Sequence, residues 1–189
     1  MFCFDIETLS KSSEAVILSL ACIYFNPDEP QDYNSLLKSA FFAKLNVEHQ
    51  VKAHSRKINK STIEWWAKQC DHAKNKSLVP SKNDELFVDA YERFRVWIKS
   101  KNDPDAWVFC RGMLDQLVLD SYEEQLGIEP IFHYSKWRDI RTAIDFLYGT
   151  KNGYATVSNF DEKAFVIKHD PIHDCAYDIM QLVHGEQIK

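Results

Sequence analysis

At 189 residues, with 45% apolar, 13% aromatic and 27% charged side chains, the chain has the composition of a folded domain with a sizeable core, which excludes a disordered or fibrous protein. The formal net charge of −5 excludes a protein that coats a polyanion through a broad cationic face, because such binding draws on many Lys and Arg contacts to phosphate. The five cysteines, Cys3, Cys22, Cys70, Cys110 and Cys175, are odd in number and scattered, with no Cys-x-x-Cys pair. That pattern argues against a disulfide framework or zinc knuckle and for a reducing cytoplasm. No apolar run reaches the roughly 20 residues of a membrane span, and no basic leader precedes an apolar stretch at the N-terminus. Neither membrane association nor export is expected, and one domain over residues 1–189 suits the length.

Residues 1–8, MFCFDIET, read as a strand, and 15–25, AVILSLACIYF, as a second one buried on both faces, with SKSSE as the turn between them. Asn26 to Asn34 is a connection rich in Pro and Asp, and 39–47, SAFFAKLNV, completes a three-stranded meander. The densest basic stretch, VKAHSRKINK around His54, reads first as a solvated loop, with a phosphate track as the alternative. KSTIEWWAKQ is expected to be helical with Ser61 or Thr62 as N-cap, and 74–83, with Pro80, to be a loop. Leu86, Phe87, Ala90, Tyr91, Phe94, Trp97 and Ile98 recur at helical spacing, so 84–99 is an amphipathic helix that ends before Asp103-Pro104.

AWVFC, 106–110, follows as a short buried strand. Leu114, Leu117, Val118 and Tyr122 mark a helix closed by Gly127, and Ile140, Ala143, Ile144 and Leu147 another that stops at Gly149. Residues 150–168 show no clean period and read as a long loop with a short helical or extended piece. In HDPIHDCAYDIMQLVHG an apolar stripe of Ile172, Cys175, Ala176, Ile179, Met180 and Val183 starts from Asp170 as N-cap and Pro171 as first helical residue; Gly185 ends it.

Side chains alternate across a strand, so Asp5 and Glu7 point to one side and Ile6 to the other. Two carboxylates held close in a half-buried place repel each other and lose hydration, so a positive group is expected between them; a solvated strand end is the plainer alternative. Asp115 follows AWVFC at the strand-to-helix edge where α/β proteins carry their sites, with a favourable charge on the helix dipole as its alternative. His173 and Asp178 stand five residues, and so about 140°, apart on the last helix. The histidine then acts from the first turn and the acid reaches inward from further along. His169 and Asp174 have the same spacing but straddle the helix start, where geometry is less constrained, and rank second. Asp174 and Asp178, at i and i+4, form a further pair able to approach one cation.

FDIET, an acid after a strand, and His-x-x-x-x-Asp in a late helix together resemble the three motifs of the DEDDh 3'-5' exonucleases. STIEWW, FCRGM, RDIRT and HDPIHDCAYDI extend the resemblance to the bacteriophage branch of that family and, more distantly, to mycobacterial exoribonuclease-like domains, from the first residues to about Val183. The resemblance implies an α/β, ribonuclease H-like (DnaQ-like exonuclease) fold of three layers, with a central mixed five-stranded sheet flanked by helices. It implies Asp5, Glu7, Asp115 and Asp178 as metal-binding acids and His173 as general base. A tyrosine-type site would need Tyr four residues before Asp178, where Asp174 stands. Leu114 departs from the Phe that the family often shows before its third acid.

The implied cofactors are two Mg²⁺ or Mn²⁺ ions, hard cations that suit oxygen ligands and an in-line phosphoryl displacement. The implied products are nucleoside 5'-monophosphates. The expected partner is single-stranded nucleic acid, DNA ahead of RNA, with no obligate protein partner, in the host cytoplasm if the chain is phage-encoded. Trp65 and Trp66 are candidates for stacking on terminal bases, with core packing as the rival reading. Arg138 and Arg141, read as sharing one helix face, are candidates for holding a phosphate, with ion pairs to Asp139 and Asp145 as the rival. An exoribonuclease or oligoribonuclease with the same site is a close alternative. A catalytically silent nucleic-acid-binding module is one of another class, disfavoured because simple binding has no need of a repelling carboxylate pair.

Overall fold

The computed structural model describes residues 1–186. In chain order the elements are β1 (Phe2–Thr8), β2 (Ile17–Tyr24), α1 (Tyr33–Ser39), β3 (Phe41–Lys44), α2 (Val47–His54), α3 (Lys60–Trp66), α4 (Asp71–Ala73), a π-helical turn (Lys74–Leu78) and α5 (Phe87–Ser100). They continue with β4 (Val108–Cys110), α6 (Leu114–Leu126), β5 (Trp137–Asp139), α7 (Ile140–Tyr148), β6 (Thr156–Val157), α8 (Glu162–Phe165), α9 (Pro171–His184) and β7 (Gly185–Glu186).

Five strands form a mixed sheet in the order β3-β2-β1-β4-β5. β1 pairs antiparallel with β2 and parallel with β4; β2–β3 is antiparallel and β4–β5 parallel. Alternation splits β1 between two cores. Phe2, Phe4 and Ile6 pack with Phe94 of α5 and Val118 and Leu119 of α6, whereas Cys3 on the opposite face packs with Ile140 of α7 and with Cys175 and Ala176 of α9. Asp5 and Glu7 share the face of Cys3. The small residues Cys175 and Ala176 let α9 lie close over the sheet, near enough for the Cys175 thiol to donate to the Cys3 carbonyl at 3.4 Å.

The five-stranded sheet flanked by helices agrees with the expected α/β architecture, and the departures have local causes. Within the stretch read as a connection, Asp32 accepts from the Ser35 amide at 3.1 Å and so caps α1, a helix of seven residues that is too short for periodicity to reveal. VKAHSRKINK is not a uniform solvated loop: its first part completes α2, and Arg56 is buried. The Arg56 guanidinium donates to the carbonyls of Ser13 at 2.9 Å and Ala15 at 3.1 Å and lies 4.3 Å from the Tyr122 ring centre. Asn59, rather than Ser61 or Thr62, caps α3 by accepting from the Ser61 amide at 2.9 Å. RDIRT divides between β5 and α7, so Arg138 lies in a strand and shares no helix face with Arg141. The stretch read as a long loop with a short helical or extended piece holds one of each, β6 and α8.

β3 pairs with β2 from Ser19 to Cys22. Beyond that point the buried Gln50 of α2 takes over, accepting from the Ile17 amide at 2.9 Å and donating to the Ile17 carbonyl at 2.7 Å. Gln50→Ala removes these partners from the buried backbone N–H and C=O of Ile17 and is expected to lower the unfolding free energy by about 2–4 kcal/mol in urea titrations. A loss below about 0.5 kcal/mol would show that Ile17 finds other partners.

Candidate active site

In open α/β sheets ligands bind beyond the carboxyl ends of the strands, and the acids gather there. Asp5 and Glu7 come from β1, Asp115 from the first turn of α6 after β4, and Asp174 from the first turn of α9, with His169 just before it. All five line one cleft of about 280 Å³, together with Arg111 and Asp178. The turn that delivers Asp115 depends on Gly112, whose φ is +82°. A Cβ there would lie 2.6 Å from the Arg141 guanidinium, and the Gly112 amide donates to Asp139 at 2.9 Å.

Burial and mutual repulsion dominate the electrostatics. Burial, then Asp115, Glu7 and Asp174, hold the Asp5 carboxyl well above its ordinary range. Burial followed by Asp174 and Asp115 does the same to Glu7. Asp115 is pushed up to about 8 by burial, against a hydrogen bond from the backbone of Ile6. Asp174 is pushed up to about 7 by burial and by Asp178, against the His169 amide, which donates to its Oδ2 at 2.9 Å. Among the described residues the buried Oδ2 of Asp5 has no hydrogen-bond partner. The residues fit a divalent cation: an orphaned carboxylate oxygen faces an oxygen-rich donor set, and ligand atoms of Glu7, His169 and Asp174 lie within 4.8 Å of one another.

Two histidines compete for the catalytic position, and the structure separates them. His169 has a left-handed backbone, φ +63°, which brings its Nδ1 to 4.0 Å from Glu7 Oε1 and its ring edge-on to Trp65 at 4.6 Å between centres. Burial, with Lys168 adding to it, lowers its pKa. His173 accepts at Nδ1 from the Tyr33 hydroxyl at 2.8 Å and the Ile167 amide at 3.4 Å. Its ring stands 6.2 Å from that of His72, which is bound to Asp170 at 2.9 Å. Asp174 and Asp178 share the α9 face toward the cleft, and His173 is turned about 100° from Asp174 toward α1.

Asp178 reaches the cleft, but Arg111 Nε engages its two oxygens at 3.0 and 3.1 Å and Gln181 donates to it at 3.4 Å. The expected pair of His173 and Asp178 therefore reads differently in space: the first is outside the cleft and the second is already ion-paired. The tryptophans also diverge. Trp66 is 0% exposed and its indole N–H donates to the Thr8 carbonyl at 3.0 Å, so it is a core residue and no stacking platform. Trp65 is 40% exposed beside His169.

Arg138 donates to the carbonyls of Ser135 and Trp137 at 2.8 and 2.7 Å and lies over Trp107, outside the acid cleft. Arg141 is close enough to the acids to pull Asp115 and Asp178 down, and its Nε pairs with Asp139 at 3.4 Å. Arg111, Tyr154 and Lys168 also line the cleft and were not singled out from sequence. For Arg111 a signal existed in FCRGM, a cation four residues before Asp115 in the strand-to-helix connection.

A carboxyl whose folded-state pKa lies above its unfolded value binds more protons when folded. Its contribution to stability is present below about pH 4 and is lost as pH rises through its raised value, about 8 for Asp115. Metal-free Asp115→Asn is therefore expected to melt at a higher temperature than the parent at pH 8, with the gap closing toward pH 4. Equal melting temperatures at pH 8 in EDTA would contradict this.

Residues 1–184 match the family model described as the 3'-5' exoribonuclease Rv2179c-like domain. The chain is also 31% identical over 204 residues to the exodeoxyribonuclease of Enterobacteria phage T4, an alignment covering 97% of this chain and 88% of that protein. A likeness spread over both the strands and the helices that carry the acids cannot be assigned to one borrowed segment, and the chain belongs to the 3'-5' exoribonuclease Rv2179c-like family.

Proposed function

We propose that this exonuclease removes nucleotides from the 3' end of single-stranded DNA, holding divalent cations on Asp5, Glu7, Asp115 and Asp174 and using His169 as general base. The observation that carries the reading is the convergence of four carboxylates around the partnerless Oδ2 of Asp5, a cluster that burial and repulsion make costly unless cations neutralise it. Two bound Mg²⁺ or Mn²⁺ ions would supply Lewis-acid stabilisation of the phosphoryl oxygens and lower the pKa of water. Asp5 and Glu7 on the rigid central strand, facing Asp115 and Asp174 on two helix N-termini, hold the donor oxygens.

The His169 imidazole, whose pKa burial lowers, accepts a proton from the attacking water, and Glu7 at 4.0 Å favours the imidazolium that results. This assignment replaces His173, whose Nδ1 is engaged with Tyr33 and which stands outside the cleft, and Asp178, whose oxygens are engaged with Arg111. The sheet order and the mixture of antiparallel and parallel pairing support a ribonuclease H-like fold, working as one domain. Among the described residues no helix is long and apolar enough to cross a membrane, and the free cysteines suit a reducing cytoplasm.

The name of the phage relative supports DNA as substrate. The description of the matching family favours RNA as the second reading.

A 5'-labelled single strand with Mg²⁺ or Mn²⁺ is expected to shorten stepwise from its 3' end, and EDTA to stop the reaction. His169→Ala is expected to lower kcat by about 10²- to 10⁴-fold and His173→Ala by less than about fivefold; the reverse ranking would return the base to His173. Matched DNA and RNA strands decide the sugar: faster decay of RNA selects the second reading.

A further inference from the structure

The acid cleft does not end at the acids. Tyr154, Glu162, Lys168 and Tyr177 line both it and a neighbouring cavity of about 470 Å³ that continues past Asn152 and Thr156. That volume lies within the ~300–1,000 Å³ typical of small-molecule sites. Tyr154 stands where the two meet, 50% exposed, with the Arg111 guanidinium stacked 4.3 Å from its ring centre. Arg111 is itself fixed by Asp178 and by donating to the Gly153 carbonyl at 3.1 Å.

The loop that presents this ring is anchored on both sides. The Gly153 amide donates to Asp145 at 2.8 Å, and the Ala155 amide to Gln181 at 3.2 Å. Gly153, at φ +73°, packs so closely on Arg141 that a Cβ would lie 2.5 Å from that side chain's own Cβ. An aromatic ring that is half exposed, immobilised by its backbone neighbours and braced from behind by a cation is arranged to receive a flat group on its outer face. Lys168 projects into the same groove. Its pairing with Glu162 at 3.2 Å is solvent-exposed and so too weak to withhold it from a phosphate.

We propose that this groove seats one of the last two nucleotides of the strand, with Tyr154 stacking on its base and Lys168 meeting its phosphate. The assignment rests on the nuclease reading for the identity of the ligand. It gives the Arg111–Asp178 pair a use that hydrolysis leaves unassigned: it holds the platform in place.

The test is fluorescence anisotropy of a 5'-labelled single-stranded DNA, in an Asp115→Asn background to suppress turnover. Intact strands are compared with strands carrying one abasic residue at the 3' terminus, at the penultimate position, or six residues inward. Tyr154→Ala is expected to weaken binding of the intact strand about tenfold, with Tyr154→Phe within about twofold of the parent. The Tyr154→Ala loss should vanish on one of the two strands lacking a terminal or penultimate base and persist on the strand modified further inward. Lys168→Gln should reduce the salt slope of log Kd by about 1. A Tyr154→Ala protein that binds the intact strand as the parent does, or that loses the same factor on every abasic strand, overturns the base seat, and an unchanged salt slope overturns the phosphate contact.

The parent provides an arm that does not depend on how the variants fold: equal affinity for the intact strand and for both strands altered near the end also overturns the seat. Failure of the catalytic reading is distinguishable, because these binding differences would hold while the wild-type chain released no nucleotides from the 3' end.

Discussion

Crowded negative charge at the carboxyl end of β1 is the constraint around which this molecule is built. Asp5 and Glu7 lie on the most interior strand of the sheet, and Asp115 and Asp174 are brought to the same place by two helices from opposite faces. Burial lifts all four pKa values, so the fold forces these groups together against their own electrostatics. A sequence under selection for stability alone would relieve this with an amide or an apolar residue. Such a cluster is what the proposed cation site requires, because perturbed carboxyls gathered in a cleft are characteristic of functional positions.

The surroundings manage that charge selectively. Two further carboxylates line the same cleft, but Asp178 is matched by Arg111 and Glu162 by Lys168, so among the described residues four acids are left without a Lys or Arg partner. Buried ion pairs are poor sources of net stability, because desolvation offsets their attraction. Their value here is geometric, since Arg111 links the β4–α6 turn to α9 and to the backbone of Gly153. Close packing through Cys175 and Ala176 completes the arrangement, holding Asp174 against β1 at a distance larger side chains would not permit.

The left-handed backbone of His169 belongs to the same design. Strain of this kind persists when its surroundings over-determine it and is concentrated at functional sites. Here the Asp174 carboxylate receives the His169 amide while Trp65 packs against the ring. The overall charge of −5 is compatible with a polyanionic substrate because attraction need only be local, and Arg111 and Lys168 both line the cleft.

Much of this was legible in the chain itself. Two-residue alternation put Asp5 and Glu7 on one face of a buried strand. Apolar periodicity marked α5, α6, α7 and α9, and Gly127, Gly149 and the Asp170-Pro171 pair marked helix ends, because caps and periodicity are encoded within a few residues. The tertiary structure decided what short range cannot encode: which of two His-x-x-x-x-Asp pairs enters the cleft, which tryptophan is buried, and that RDIRT contains an edge strand. His169 is brought into the cleft by a positive φ that no local rule assigns to a histidine before a cap. Asp178 is withdrawn from the acid cluster by Arg111, 67 residues away in the chain. Local sequence determines where charges can stand, but the neutralisation of a buried charge depends on partners that only folding brings within hydrogen-bond distance.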